Sequence, residues 1–204
     1  APGWVDVFET TSPGTWVHRA KLTQFDGAAG DKFGAEAISF DVAAFTNLGR
    51  DHLDFHRDIE SYFEAKASLF TPERTKHAVI NVDDPRGREL VQRIGRHSGM
   101  ELSTVSLDGD AACRALAYEV QPDGRTAVRA DLRGRILNFS VNLPGDFNIR
   151  NALTALAMVD AIGGDLELAT VGLGQAYVAG RMQRVELGPD LGQAVVARGS
   201  CRGL

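Results

Sequence analysis

The chain has 204 residues, of which 44% are hydrophobic and 24% charged, the proportions of an ordinary globular protein; disordered, collagenous and coiled-coil chains are excluded. A formal net charge of -5 argues against a nucleic-acid partner, whose phosphates call for a basic excess, and no apolar run approaches the roughly 18 residues of a bilayer-spanning helix, so no membrane partner is expected either. Two cysteines, Cys113 and Cys201, cannot build a disulfide framework, and no basic segment followed by an apolar one opens the chain, which points to the cytoplasm. The first residue is alanine, which suggests a processed or partial product.

Residues 1 to 35 show no sustained period and are expected to be irregular. Ile38 to Phe45 reads as a buried strand opening into a polar loop at Thr46-Asn47. Ile59 to Phe70 has helical spacing, with Tyr62, Lys66 and Leu69 on one face and Phe63 and Phe70 flanking it. A strand over His77 to Val82 runs into Asp83-Asp84-Pro85, and a helix follows over 86 to 97. Leu102 to Leu107 is a further strand. Ala117 to Val120, Thr126 to Leu132 and Ile136 to Val141 are short strands separated by hairpin turn residues. Helices over 149 to 162 and 166 to 177 close the pattern, with Gly163-Gly164 between them. Alternating strands and helices predict an α/β fold, mainly a parallel doubly wound sheet, with a small antiparallel sheet appended over 115 to 142.

The densest polar cluster runs from Thr46 to His56, just beyond a strand's carboxyl end, where open α/β sheets bind ligands. Its two imidazoles and two carboxylates, His52, His56, Asp51 and Asp54, suit a metal; a solvated loop in which an aspartate caps a turn is the plainer reading. Lys66 either snorkels along the core or serves as a nucleophilic amine, which carbon dioxide would convert to a carbamate able to bridge magnesium. Asp84 before Pro85 reads as a helix cap with proline at the first position, and Asn148 also sits where a cap belongs. The Asn151 amide carries both a donor and an acceptor and suits an adenine edge, whereas Arg181 suits phosphate or ribose as well as it suits a surface ion pair.

Taken in order, FTNLGRDHLDFH (45 to 56), YFEAKASLF (62 to 70), INVDD (80 to 84), LPGDFNIRNAL (143 to 153) and GRMQRVE (180 to 186) resemble the central ATP-binding domain of the Mur ligases. The DHLDFH and YFEAKASLF wording is nearest to the members that make the muramoyl tripeptide; folylpolyglutamate synthetases share the fold and a related Asp-His loop. The resemblance covers residues 36 to 188, leaving 1 to 35 and a tail over 189 to 204 unmatched. It implies an ATP- and Mg2+-dependent ligase of peptidoglycan synthesis, joining a free amino acid to a UDP-linked muramoyl dipeptide through an acyl phosphate. It implies His52 and Lys66 at magnesium, Lys66 as the carbamylated lysine, and Asn47, Asn148, Asn151 and Arg181 around ATP. The family's Gly-Lys-Thr/Ser phosphate loop does not precede Phe45, and Glu36 to Ser39 does not reproduce its Glu-Val-Ser-Ser-His stretch. The chain is therefore expected to be inactive by itself. A non-catalytic α/β module that keeps the fold is the competing expectation.

Overall fold

The computed structural model describes residues 39–49, 58–95 and 99–176 in full, together with the backbone of four flanking strands, β1 (Trp4–Ser12), β2 (Thr15–Thr23), β9 (Gln183–Glu186) and β10 (Gln193–Val196). The chain divides into two compact units, Ala1–Ile38 and Ser39–Leu204. In the first, β1 and β2 pair antiparallel, which corrects the expectation of irregular structure. The register shifts between Val7 and Phe8 and again between Thr10 and Ser12. Each shift breaks the two-residue period, so the alternation that marks a strand in sequence is scrambled.

The second unit is built on a six-stranded sheet in the order β3 (Phe40–Phe45), β4 (Thr75–Asn81), β5 (Glu101–Ser106), β6 (Cys113–Val120), β7 (Thr126–Leu132) and β8 (Arg135–Val141). Strands β3 to β6 are parallel neighbours, and β6, β7 and β8 run antiparallel. The predicted antiparallel sheet is thus continuous with the parallel one, joined through Val105 and Ser106 opposite Cys113 and Arg114. Helix α1 (Ile59–Ala67) connects β3 to β4, and α2 (Pro85–Ile94) connects β4 to β5. Helices α3 (Asp146–Ala161) and α4 (Leu166–Gln175) follow β8. All four helices fall where the spacing placed them, although α1, α2 and α4 end two or three residues early. Strands β9 and β10 form a separate antiparallel pair.

Both faces of the sheet are covered, as a parallel sheet requires. On one face Ala43, Phe45, Ala78 and Ile80 pack with Phe63 of α1, Phe70 just after it, and Leu90 and Ile94 of α2. On the other, Val79, Val105, Cys113, Val128, Leu137 and Phe139 pack with Ile149, Leu153 and Leu156 of α3 and Leu166 of α4. Burial pushes the Cys113 thiol up to about 12, with Asp160 and Asp131 adding to the effect, so this cysteine behaves as a small apolar side chain. Phe63 is fully buried, and the Arg86 and Arg93 guanidiniums each lie 4.8 Å from its ring centre. The same arginines share Glu89, whose carboxyl their hydrogen bonds hold below the usual carboxylate range. Cation–π contact and ion pairing therefore seal the α1–α2 seam over an apolar centre.

Gly87 sets how closely α2 approaches β4. A Cβ there would overlap the Asn81 carbonyl, which belongs to the strand backbone and cannot swing aside. Gly87→Ala should destabilise the protein by about 2 kcal/mol or more, a forced backbone shift rather than a propensity effect; urea unfolding of the two proteins measures it.

Candidate functional site

The carboxyl ends of β3, β4 and β5 converge on a loop over residues 46–49 and on the turn at Asp83-Asp84. Asn81 donates from Nδ2 to the Thr46 carbonyl at 2.7 Å, and the Leu48 amide donates to Asp84 Oδ2 at 3.0 Å. These two bonds pin the loop against β4 and leave Asn47 exposed between them. Asp84 also accepts from the Arg86 amide at 2.7 Å and caps α2, with Pro85 at its first position, as the sequence predicts.

Helix α1 begins with a capping box in which Asp58 accepts from the Ser61 amide at 2.7 Å. Two turns on, Lys66 is half-buried, its Nζ 4.9 Å from the centre of the Tyr62 ring. It lines a pocket of about 220 Å3 with Thr46, Asn47, Phe45 and Phe70. The structure thus brings two of the sequence-predicted residues, Lys66 and Asn47, to one small cavity at the strand ends. His52, with Asp51, Asp54 and His56, lies outside the described residues, and so does Arg181. Among the described residues no group of three or more His, Cys, Asp or Glu is arranged to hold a metal.

Across the strand ends, α3 starts after a turn at Leu143-Pro144-Gly145. Gly145 has φ 99°, a left-handed value that favours glycine, and no side chain caps the helix. Asn148 is therefore not the cap expected from sequence: three residues into the helix, it is buried and donates from Nδ2 to the Pro144 carbonyl at 2.8 Å. Glycine takes the cap position because only it accepts that φ at low cost, and the asparagine secures the turn from inside. Asn151, one turn later, is exposed, and its amide makes no hydrogen bond among the described residues.

Arg150, between these asparagines, was not singled out by the sequence. Its Nε donates to Asp83 Oδ2 at 2.9 Å and its Nη2 to Asp108 Oδ2 at 3.1 Å. Asp83 also accepts from the Leu107 amide at 2.8 Å and from the Ser106 hydroxyl. Burial works to raise the Asp83 pKa, but the bonds from Ser106, Leu107 and Arg150 outweigh it and hold the carboxyl below its ordinary value. The available signal was slight. One capping aspartate suffices before Pro85, so the second needs another reason; and a cation near a helix amino end opposes the dipole unless acids await it.

A second polar group lies at the opposite ends of the strands. His77 is buried, with Nε2 2.8 Å from Ser103 Oγ and Nδ1 3.3 Å from Glu101. Ser103 is 2% exposed and also accepts from Arg133, so its hydroxyl is buried and engaged and the Ser103-His77 pair satisfies buried polar atoms, while Glu101 lies at the surface.

The Mur ligase middle domain matches residues 27–159. The chain belongs to the Mur ligase family. A UDP-N-acetylmuramoyl-L-alanyl-D-glutamate--2,6-diaminopimelate ligase of Streptomyces avermitilis is 40% identical over 152 residues, 73% of this chain and 29% of the relative. A protein of the same name from Thermosynechococcus vestitus is 38% identical over 211 residues, covering 96% of this chain and 41% of the relative. A solved ligase of that name superposes with a TM-score of 0.64 at 28% identity, over 71% of this chain and 30% of that one. MurF from Acinetobacter baumannii, at 22% identity and TM-score 0.62 over 73% of this chain and 32% of that one, shares the fold. The likeness to the tripeptide-forming ligases is borne out, and so is the mixed, mostly parallel sheet. The chain spans less than half the length of these relatives.

The lowered pKa of Asp83 gives its pH dependence a sign. Its stabilising share is complete above the unfolded carboxylate value of about 3.9 and is lost as pH falls through the lower folded value. Asp83→Asn should cost about 1–3 kcal/mol at pH 7 and flatten the loss of stability below pH 4; urea unfolding at pH 7 and pH 3 tests both.

Proposed function

We propose that this chain forms the central ATP-binding part of a ligase that adds an amino acid to UDP-N-acetylmuramoyl-L-alanyl-D-glutamate, and that catalysis needs segments the longer relatives possess in addition. The relatives' names make 2,6-diaminopimelate the first amino acid to test. The observation that carries the reading is the meeting of Lys66 with the Thr46-Asn47 loop in one pocket at the carboxyl ends of the parallel strands, where such sheets bind their ligands.

The proposed roles follow from residue chemistry. Lys66, as a carbamate, and His52 would hold Mg2+; the ion's contribution is to cancel negative charge on ATP and on the transferred phosphoryl group. The half-buried position of Lys66 against Tyr62 suits a carbamate, whose two oxygens would face the pocket while the aliphatic stem stays packed. Asn47 and Arg181 would contact the phosphates and ribose. Asn151, exposed and with no hydrogen bond to its amide among the described residues, would read adenine through a donor and an acceptor, and Asn148 would hold the preceding turn in place. Activation of the dipeptide carboxylate as an acyl phosphate gives the amine of the incoming amino acid a leaving group to displace.

The test is phosphate release from ATP by the full-length protein. It should require the UDP-linked dipeptide and 2,6-diaminopimelate together, and Lys66→Ala should lower it by about a hundredfold or more. Release independent of the dipeptide, or a fully active Lys66→Ala protein with no carbon-13 carbamate signal in the parent, would contradict the reading.

A further inference from the structure

Helix α3 has no side-chain cap, and an apolar stripe of Ile149, Ala152, Leu153 and Leu156 holds it to the sheet. Apolar packing is non-directional and by itself leaves a helix some freedom to slide and roll by fractions of an ångström. Directional bonds at its amino end come from Asn148, which reaches only the helix's own preceding turn, and from Arg150, which reaches two other elements. The Arg150 fork spans Asp83, after β4, and Asp108, after β5. A guanidinium offers five N–H groups in a rigid plane, so two carboxylates on separate segments fix its direction as well as its distance. The next residue along the helix is Asn151.

We propose that Arg150 is a positioning residue for the adenine base: by bridging Asp83 and Asp108 it sets the roll and height of the first two turns of α3, and hence where the Asn151 amide stands. The proposal rests on the reading of Asn151 as the adenine contact. A contact that reads a base edge through one donor and one acceptor is sensitive to small displacements, whereas phosphate chemistry at the Lys66 pocket is not tied to α3 in this way. Loss of the bridge therefore acts on nucleotide affinity and base choice and largely spares the rate of the bound complex.

The experiment uses the full-length ligase with ATP and inosine triphosphate, in which an oxygen replaces the adenine amino group. KM, kcat and Tm are measured for Arg150→Met, Arg150→Lys, Asp108→Asn and Asn151→Ala. Arg150→Met should raise KM for ATP about tenfold with kcat within about twofold, and should bring the ATP-to-inosine-triphosphate preference close to that of Asn151→Ala. Arg150→Lys, which can reach one carboxylate at a time, should fall between. The Asp108 side chain is 66% exposed, so Asp108→Asn keeps the fold and should show a smaller change in the same direction, which decides the matter if Arg150→Met does not fold. A lowered Tm with unchanged KM and unchanged base preference in Arg150→Met, or an unchanged preference in Asp108→Asn, would overturn the proposal. If Asn151→Ala abolishes the preference while the other variants keep it, the adenine reading stands and the positioning role falls. If Asn151→Ala itself keeps the preference, both fall.

Discussion

Two adjacent carboxylates at the end of β4 carry the organisation of the strand ends. Asp84 turns one oxygen to the first turn of α2 and the other to the Leu48 amide. Asp83 faces the opposite way, toward Ser106, Leu107 and Arg150. The two side chains diverge from the turn after β4, so one dipeptide ties the loop bearing Asn47 to the start of α2 and the end of β5 to the start of α3. Each carboxylate is half-buried and accepts more than one hydrogen bond, and for Asp83 those bonds hold the carboxyl below its ordinary value. The close packing of α2 on Asn81, permitted by Gly87, holds the dipeptide itself in place.

Placement of the site follows from this arrangement. The parallel strands present their carboxyl ends to one crevice; α1 returns Lys66 to a pocket at the end of β3, and the start of α3 is held by Arg150 to Asp83, after β4, and Asp108, after β5. Two helix layers that share no apolar core are thereby referred to one origin. A phosphoryl-transfer enzyme gains most from such positioning, because little of its rate comes from covalent participation by the protein. Membership of the Mur ligase family is shown by the match over residues 27–159 and by the diaminopimelate ligases, and the nucleotide site proposed above lies at this end of the sheet.

Much of this is legible in the amino-acid sequence. The strand-helix alternation from Ile38 to Val82 and the Pro85 helix start follow from period and capping chemistry, and they appear as read. Three features were not. The β1–β2 pairing was hidden by two register shifts that break alternation. The continuity of the sheet through β5 and β6 rests on a short parallel contact at Val105 and Ser106, which leaves no local signal because the partners belong to separate runs. The Arg150 bridge joins residues 67 and 42 positions apart, and no spacing rule reaches that far. Asn148 was misassigned for a local reason: a glycine with positive φ took the cap position three residues earlier.

The account's central claim is that the Asp83-Asp84 step holds both sides of the crevice, and amide hydrogen exchange in the Asp83→Asn protein tests it most directly. Loss of the carboxylate should speed exchange at Leu107 and through the first turns of α3 around Arg150 and Asn151, while leaving Leu48, which bonds to Asp84, protected as before. Unchanged exchange across the start of α3 would contradict the claim and show that apolar packing alone sets that helix.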